Sequence, residues 1–241
     1  MRDLRNYVHP VWKAITDLYA GQAREVPFHG WHHVRFVAQK ARCFAEELRA
    51  NAALVEIAAL VHDVNYLVAA RGDASDGRRL RSKLLTDVGL DDEAISRIED
   101  IVTESETRAR GRDISAEAMA LSDADTLFKA LPITPVVLAP LYMQETGRSL
   151  GELAQKIVGE QVPLRDDGIY FYSESAKKKY DRWGEANLAL WTCIREALDD
   201  PSVREVVEQV EKYTNIPREP GSRSEPCLGR AAARPGPGPA W

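Results

Sequence analysis

The sequence has few of the features that mark secreted, membrane-spanning or nucleic-acid-binding proteins. Only three of its 241 residues are cysteines, an odd number spread far apart, so neither a disulfide framework nor a zinc knuckle is expected. No run of 18 apolar residues and no signal peptide is recognisable, which predicts a cytoplasmic protein without a membrane span. The formal net charge is −5, so no general basic field is available to bind nucleic acid. An anionic ligand must therefore be bound by local charge or by a metal.

The sequence is rich in helical periodicity. Apolar residues recur at three- and four-residue steps along most of the chain, and strand-like alternation is limited to short runs such as 169–172, which predicts an all-α fold. Three prolines, at 132, 135 and 140, are expected to interrupt the later part of the chain, and Cys43 is expected in the core. The predicted helices are about 6–19, 30–48, 52–66, 78–88, 92–103, a run that follows Ser115 and crosses 123–125, and then 151–159, 173–198 and 203–213.

The composition changes near the C-terminus. Six of the thirteen prolines and four of the fifteen glycines lie in the last 26 residues. This composition predicts a disordered tail over 215–241, behind a single helical domain over 1–214.

Four of the five histidines occur in two short segments. His29, His32 and His33 share a five-residue window, and the pair His62-Asp63 follows an apolar run that is typical of a buried helix. A carboxylate in such a place costs several kcal/mol unless it is paired or bound to a cation. Because adjacent helical residues diverge by about 100°, the pair could bind one ion only on the flank of its helix. Another helix must then supply further ligands.

Asp123 and Asp125 lie at the start of a later apolar run and are candidates for that further ligand. Two imidazoles and two carboxylates form a mixed ligand set that suits one divalent cation such as Mn, Fe, Ni, Zn or Mg. The spacing alone leaves open which of the two aspartates is the ligand.

Three short motifs follow one another along the chain. In their order and residues they resemble the H…HD…D signature of the HD-domain superfamily of metal-dependent phosphohydrolases. The resemblance covers about 25–130, with a weaker similarity at 171–178, where an aromatic-Tyr-x-x-x-Ala-Lys-Lys run occurs. The segment 28–34 is similar to an aromatic-His-x-x-x-His-Val opening, 60–66 to an apolar-HD-apolar-x-Tyr variant, and 124–127 to a closing Ala-Asp-x-Leu.

The resemblance implies a single HD-type helical bundle in which four residues bind one divalent cation: His33, His62, Asp63 and Asp125. The cation would polarise a phosphoryl oxygen and activate a water molecule. His29 and Asp63 are then the catalytic residues, with His29 as proton donor to the leaving oxygen. The implied function is hydrolysis of a phosphate ester or anhydride of a nucleotide or another small phosphorylated metabolite. The alternative is a non-catalytic HD-type module that binds a nucleotide or a metal, and oxygenase chemistry ranks third because histidines are too few.

The sequence departs from better-known relatives at two places. Relatives with two metals have further histidines, whereas here the corresponding helix contains Glu104 and Glu106, so a single ion is expected, with these glutamates as candidate oxygens of a second site. Asp123 is then the alternative ligand, or a group that orients His62 or a water. Some nucleotidases have a glutamate three positions after the HD aspartate, where this chain has Tyr66.

A small phosphorylated substrate needs cationic partners. Arginine binds phosphate bidentately and lysine as a point charge, so basic residues beyond the HD pair are candidates. The oligomeric state, monomer or homo-oligomer, stays open, and no nucleic-acid partner is expected. The phosphate-binding candidates are Arg71, Arg78, Arg79, Arg81, Lys83 and Lys129.

Overall fold

The computed structural model describes residues 3–21, 26–68 and 74–214, and within them the chain is helical with no strand. The all-α prediction is confirmed. A 3₁₀ turn (Val64–Leu67) and a π-helical turn (Thr134–Leu138) accompany the α-helices. The α-helices of the described residues are α1 (Arg5–Ala20), α2 (Trp31–Glu47), α3 (Ala52–Val61), α4 (Ala74–Val88), α5 (Asp92–Ser105), α6 (Ala116–Ala130), α7 (Ala139–Thr146), α8 (Leu150–Asp166), α9 (Glu174–Ala197) and α10 (Pro201–Thr214).

The centre of the fold is formed by α2, α3 and α6, which pack against one another. Every residue of α3 from Leu54 to Val61 is buried, as expected for a helix that is apolar nearly all round. The apolar stripe of α2, which includes Val34, Val37 and Ala41, is inaccessible to solvent. These three helices carry the four ligands predicted for a single ion, His33, His62, Asp63 and Asp125, on their own residues or directly after their last turn.

Helix starts follow the capping residues in the sequence. Side chains of Asn51, Asp91 and Ser115 each accept a hydrogen bond from the backbone N–H three residues later, at 3.2, 3.0 and 3.2 Å. Ser173 does the same for α9, at 3.3 Å from the amide of Ala176. Each such cap is worth about 1 kcal/mol. The starts of α3, α5, α6 and α9 could therefore be predicted from their capping residues.

Four predictions about local structure were wrong. The helix predicted over 78–88 begins at Ala74. The helix predicted over 52–66 stops at Val61, and a 3₁₀ turn follows. The helix predicted over 151–159 runs from Leu150 to Asp166. Cys43 is exposed, because it lies off the stripe that α2 buries. The interruption predicted at prolines 132, 135 and 140 is present, since α6 ends at Ala130 and the π-helical turn and α7 follow.

Helices α7, α8 and α9 form a smaller apolar cluster beside the main core. Its buried members are Ala139, Leu153, Ala154, Val158 and Trp191. Trp191 is 1% exposed, and α8 packs along α9. This cluster forms one wall of the cavity described below.

Residues up to Asp199 belong to one compact unit, and α10 belongs to a second unit that begins at Asp200. In α10, Val206 and Val210 are exposed. The predicted tail over 215–241 lies outside the described residues. A single domain over 1–214 stays a prediction.

In the part of the chain that is described, no single helix is long and apolar enough to span a membrane. Only the pair formed by α6 and Thr134–Thr146 is long and apolar enough when the two are taken together, and this pair is bent by 74°.

Candidate metal centre

The His62-Asp63 pair lies where α3 ends. His62 is the last residue in helical geometry, and Asp63 departs from it, with φ −107° and ψ 15°. This change of backbone direction removes the divergence expected within a helix, and Nε2 of His62 lies 3.1 Å from Oδ2 of Asp63. Nδ1 of His62 donates a hydrogen bond to the carbonyl oxygen of Ala59 at 2.7 Å, so a neutral ring presents a bare Nε2.

His33, in the first turn of α2, completes a group of three candidate ligands. Its Nε2 lies 2.9 Å from Oδ2 of Asp63 and 3.2 Å from Nε2 of His62. One ligand atom from each residue lies within 4.8 Å of the others, so this group could hold a metal ion. The side chains of His33, His62 and Asp63 are 1%, 8% and 17% exposed, which places the carboxylate at the edge of the core.

Asp125, on α6, lies beside this group. Its Oδ1 is 3.9 Å from Nε2 of His33, and its Oδ2 accepts a hydrogen bond from Nζ of Lys129 at 2.6 Å. Nη2 of the buried Arg110 lies 3.9 Å from the same oxygen. The structure therefore brings three of the four predicted ligands into contact and places the fourth at the edge of the group.

The pKa shifts of His33, Asp63 and Asp125 suit cation binding. The shift of His62 does not, because burial lowers its pKa but the neighbouring Asp63 outweighs burial and raises it. Burial lowers the pKa of His33 to about 4, so this ring is neutral near pH 7. Burial opposes ionisation of Asp63, but His62 and His33 outweigh it and hold the pKa of Asp63 well below its usual range. Burial likewise opposes ionisation of Asp125, yet Lys129 and His33 lower its pKa to about 2. Neutral imidazole and ionised carboxylate are the forms that bind a metal, and the donor set of two nitrogens and carboxylate oxygens fits a borderline divalent cation.

Asp123 and Glu104 have other partners. Oδ1 and Oδ2 of Asp123 accept hydrogen bonds from the backbone amides of Tyr172 and Ser173 at 2.6 and 2.7 Å, which ties the start of α9 to α6. Burial raises the pKa of Asp123 to about 6 despite these bonds. Oε2 of Glu104 accepts from the amide and the hydroxyl of Ser115, at 2.9 and 2.5 Å. Both carboxylates thus organise helix starts.

His29 precedes α2 and lies against the candidate ligands. Its Nδ1 is in close contact with Oε1 of Glu145, a residue of α7. Its ring stacks on the ring of Tyr66, with centroids 3.4 Å apart and planes at 6°, and packs edge-on against His33 at 5.7 Å. The tyrosine that replaces the glutamate of some nucleotidases thus forms one wall for His29.

Two cavities meet at the candidate ligands. One, of about 170 Å³, extends from His33 and Asp63 between α7, α8 and α9 as far as Trp191 and Asn187. The other, of about 310 Å³, is more polar and runs past His62 toward the end of α5. Both are lined by Asp63, Tyr66, Thr107, Asp125, Lys129, Lys156 and Glu160.

The predicted phosphate-binding residues are distributed unevenly around these cavities. Lys129 lines both, whereas Arg78, Arg79 and Lys83 line neither. Lys83 is exposed and pairs with Asp87 at 2.5 Å.

Arg81 reaches the more polar cavity, but it forms a buried salt bridge with Glu99 at 2.8 Å, and Arg78 contacts the same glutamate at 3.5 Å. Arg71 lies outside the described residues. The structure adds Lys156 of α8, which lines both cavities and pairs with Glu160 at 2.6 Å.

Sequence reasoning missed Glu145, Arg110 and Lys156. Glu145 is 116 residues from His29 and belongs to a proline-containing segment with no motif. Arg110 lies in a loop, where it donates to the hydroxyl of Thr126 at 2.6 Å and the carbonyl oxygen of Ser122 at 3.2 Å. No local pattern points to such long-range partners.

Comparisons with known proteins agree with this arrangement. Residues 30–129 match the family model described as HD domain. Over 107 residues the chain is 36% identical to YpgQ of Bacillus subtilis (strain 168), a match that covers 41% of this chain and spans half the length of that protein.

Two crystal structures share the fold. The structure of Bacillus subtilis YpgQ in complex with ADP matches with a TM-score of 0.52 and 22% identity, over 80% of this chain and 99% of that one. A protein from Lactobacillus plantarum matches with a TM-score of 0.54 and 18% identity, over 85% and 96% of the two chains. The residues matched by the family model contain His33, His62-Asp63 and Asp125 in the expected order, so residues 30–129 are similar to an HD domain in sequence as well as in motif order.

Proposed function

We propose that this protein is a metal-dependent phosphohydrolase that cleaves a phosphate ester or anhydride of a nucleotide or another small phosphorylated metabolite. The observation that carries the proposal is the convergence of Nε2 of His33, Nε2 of His62 and Oδ2 of Asp63 within 2.9–3.2 Å at the wall of a cavity. The match of residues 30–129 to the HD-domain family model supports it.

The ligands in this proposal are His33, His62, Asp63 and Asp125, and the bound ion is one of Mn, Fe, Ni, Zn or Mg. Such a cation would supply a Lewis acid that polarises a phosphoryl oxygen and lowers the pKa of water. Oδ2 of Asp63 lies 2.9 Å from Nε2 of His33 and 3.1 Å from Nε2 of His62, so this carboxylate would share the cation with both rings. Its removal is therefore expected to abolish turnover.

In this proposal His29 donates a proton to the leaving oxygen. Because Glu145 contacts Nδ1, the nitrogen left for the cavity is Nε2. Protonated there, the ring can give its proton to the oxygen that leaves phosphorus. The stacked Tyr66 covers one face of the ring and limits its contact with water.

The substrate would lie across both cavities. Lys129 and Lys156 line the region that the cavities share, so they are placed to bind phosphate oxygens as point charges. The narrower cavity, with Tyr142 and Trp191 in its lining, suits an organic group such as a nucleobase. The ADP complex of YpgQ supports a nucleotide as the ligand class.

The test is release of phosphate or pyrophosphate from ADP, other nucleotides and phosphorylated metabolites, assayed with each of the five metals. The wild type should turn over at least one substrate, and Asp63→Asn should lose at least a hundredfold in kcat, as expected when a metal ligand is removed. Asp87→Asn, a surface aspartate paired with Lys83, is the matched control and should retain full activity. Tight binding of ADP with no turnover under any metal would instead favour the non-catalytic binding module.

A further inference from the structure

Glu145 is engaged by three groups of one short segment. Its Oε2 accepts hydrogen bonds from the backbone amides of Phe28 and His29, at 2.8 and 3.1 Å, and its Oε1 contacts Nδ1 of His29. The glutamate side chain has no exposed surface, and the imidazole is 7% exposed. Both carboxylate oxygens of Glu145 are therefore engaged by Phe28 and by His29, the residue predicted to donate the proton.

The charge of this carboxylate is stabilised by its partners. Burial opposes ionisation, but the hydrogen bonds from His29 and from the two backbone amides outweigh it and lower the pKa of Glu145. An ionised carboxylate can only accept, so the atom that faces it must carry a proton. The neutral ring of His29 is thus held in the tautomer with hydrogen on Nδ1.

The remaining surfaces of the ring are also restrained. Tyr66 covers one face, Phe28 packs edge-on at 4.7 Å and His33 lies edge-on at 5.7 Å. A half-turn of the ring would keep its plane against Tyr66 but would put a carbon in the place of Nδ1, so the contact with Glu145 would be lost. His29 therefore has one orientation in which Nε2 serves the cavity.

We propose that Glu145 is the positioning residue of a Glu-His pair, in which it fixes the tautomer and orientation of His29 for proton donation through Nε2. This inference rests on the proposed function. In the reaction, a water oxygen bonds to phosphorus while the bond from phosphorus to the leaving oxygen breaks with its electron pair. The leaving oxygen takes the Nε2 proton of His29, the attacking water loses its proton to solvent, and solvent reprotonates the ring.

Replacing the Glu145 carboxylate by a carboxamide tests whether it positions His29 or only fills space in the core. Glu145→Gln keeps the size of the side chain but has one acceptor oxygen in place of two, so it can satisfy either the ring or the backbone amides. Glu56→Gln is the matched control, because Glu56 is also a buried glutamate that accepts from a ring nitrogen, Nε1 of Trp12 at 2.7 Å, but lines a different groove. Metal content and melting temperature of each variant report whether the fold and the metal centre are intact.

The first readout is the tautomer of His29, measured by nitrogen-15 NMR on the metal-loaded full chain. It needs no activity. Wild type and Glu56→Gln should show hydrogen on Nδ1 and a bare Nε2 in the neutral ring, and Glu145→Gln should show a mixture of tautomers. Hydrogen on Nε2 in the neutral wild-type ring, or an unchanged tautomer in Glu145→Gln, would overturn the proposal.

The second readout is the dependence of kcat on the leaving group, with phenyl phosphate and 4-nitrophenyl phosphate as probes. Glu145→Gln should lose about tenfold to a hundredfold in kcat with phenyl phosphate, whose leaving oxygen needs a proton, and little with 4-nitrophenyl phosphate. Adding Glu145→Gln to His29→Asn should cost nothing further, because the pair acts as a unit. Equal losses on both probes would assign Glu145 to folding alone. Absence of turnover of every nucleotide and phosphorylated metabolite in the wild type would refute the proposed function, while the tautomer still decides the Glu-His pair.

Discussion

Nδ1 of His62 donates a hydrogen bond to the carbonyl oxygen of Ala59, three residues earlier, at 2.7 Å. This bond uses a carbonyl that the end of α3 leaves without a helical partner, and it fixes which ring nitrogen carries hydrogen. In the neutral ring Nε2 is then the bare nitrogen, and it faces Asp63. One hydrogen bond thus satisfies a carbonyl at the end of α3 and also orients the ring of His62 as a candidate ligand.

Replacement of His62 should remove the metal. The His62→Ala variant lacks one of the three ligand atoms that converge, so a wild-type content of about one equivalent should fall to near zero. Elemental analysis of protein purified without chelator measures this directly. His9→Ala, an exposed histidine of α1, is the control and should keep the wild-type content. Two equivalents in the wild type would contradict the single-ion site and would return Glu104 and Asp123 to the candidate ligands.

The two aspartates of α6 are expected to have different roles, Asp123 in stabilising the fold and Asp125 in binding the metal. Asp123→Asn replaces two acceptor oxygens with one, so one buried backbone amide of 172–173 loses its partner. We expect a loss of about 1–3 kcal/mol in the free energy of unfolding, with metal content retained. Denaturant titration and elemental analysis together check this.

The matched variant is Asp125→Asn. It should weaken metal binding at least tenfold, because a ligand charge is removed beside His33. Should Asp123→Asn lose the metal while Asp125→Asn keeps it, the assignment of the two residues would be reversed.

Much of the fold could be predicted because its signals are local. Caps such as Asn51 and Ser115 act on the amide three residues away, and apolar periodicity reports which face of a helix is buried. The order of His33, His62-Asp63 and Asp125 points to the HD-domain family for the same reason. Each motif is short, and its residues are near one another in sequence.

The geometry that links these residues was not predictable in the same way. His62 and Asp63 converge only because α3 ends at Val61, and a continuous helix over 52–66 would have kept them apart. Glu145 reaches His29 across 116 residues of sequence, through the packing of α7. Long-range contacts of this kind depend on how helices assemble, which periodicity does not report.

A divalent cation should stabilise the folded chain. A ligand that binds the folded state at a hundred times its Kd adds about 2.7 kcal/mol to the free energy of unfolding. We therefore expect Mn or Ni to raise the Tm of the wild type by several degrees, and a chelator to reverse the change. Asp63→Asn should show no such rise. An equal rise in Asp63→Asn, measured by scanning calorimetry, would place the stabilising ion elsewhere.

Lys129 should contribute to nucleotide binding and Lys83 should not. Lys129 lines both cavities beside Asp125, whereas Lys83 pairs with Asp87 on the surface. A hydrogen bond to a charged group is worth about 1.5–3 kcal/mol, so Lys129→Met should weaken ADP binding by at least about tenfold in the presence of metal. Titration calorimetry gives the Kd, and Lys83→Met, with the same loss of charge, should leave it unchanged. If both variants weakened binding equally, the effect would come from net charge, and the phosphate would have to bind elsewhere than the region that the two cavities share.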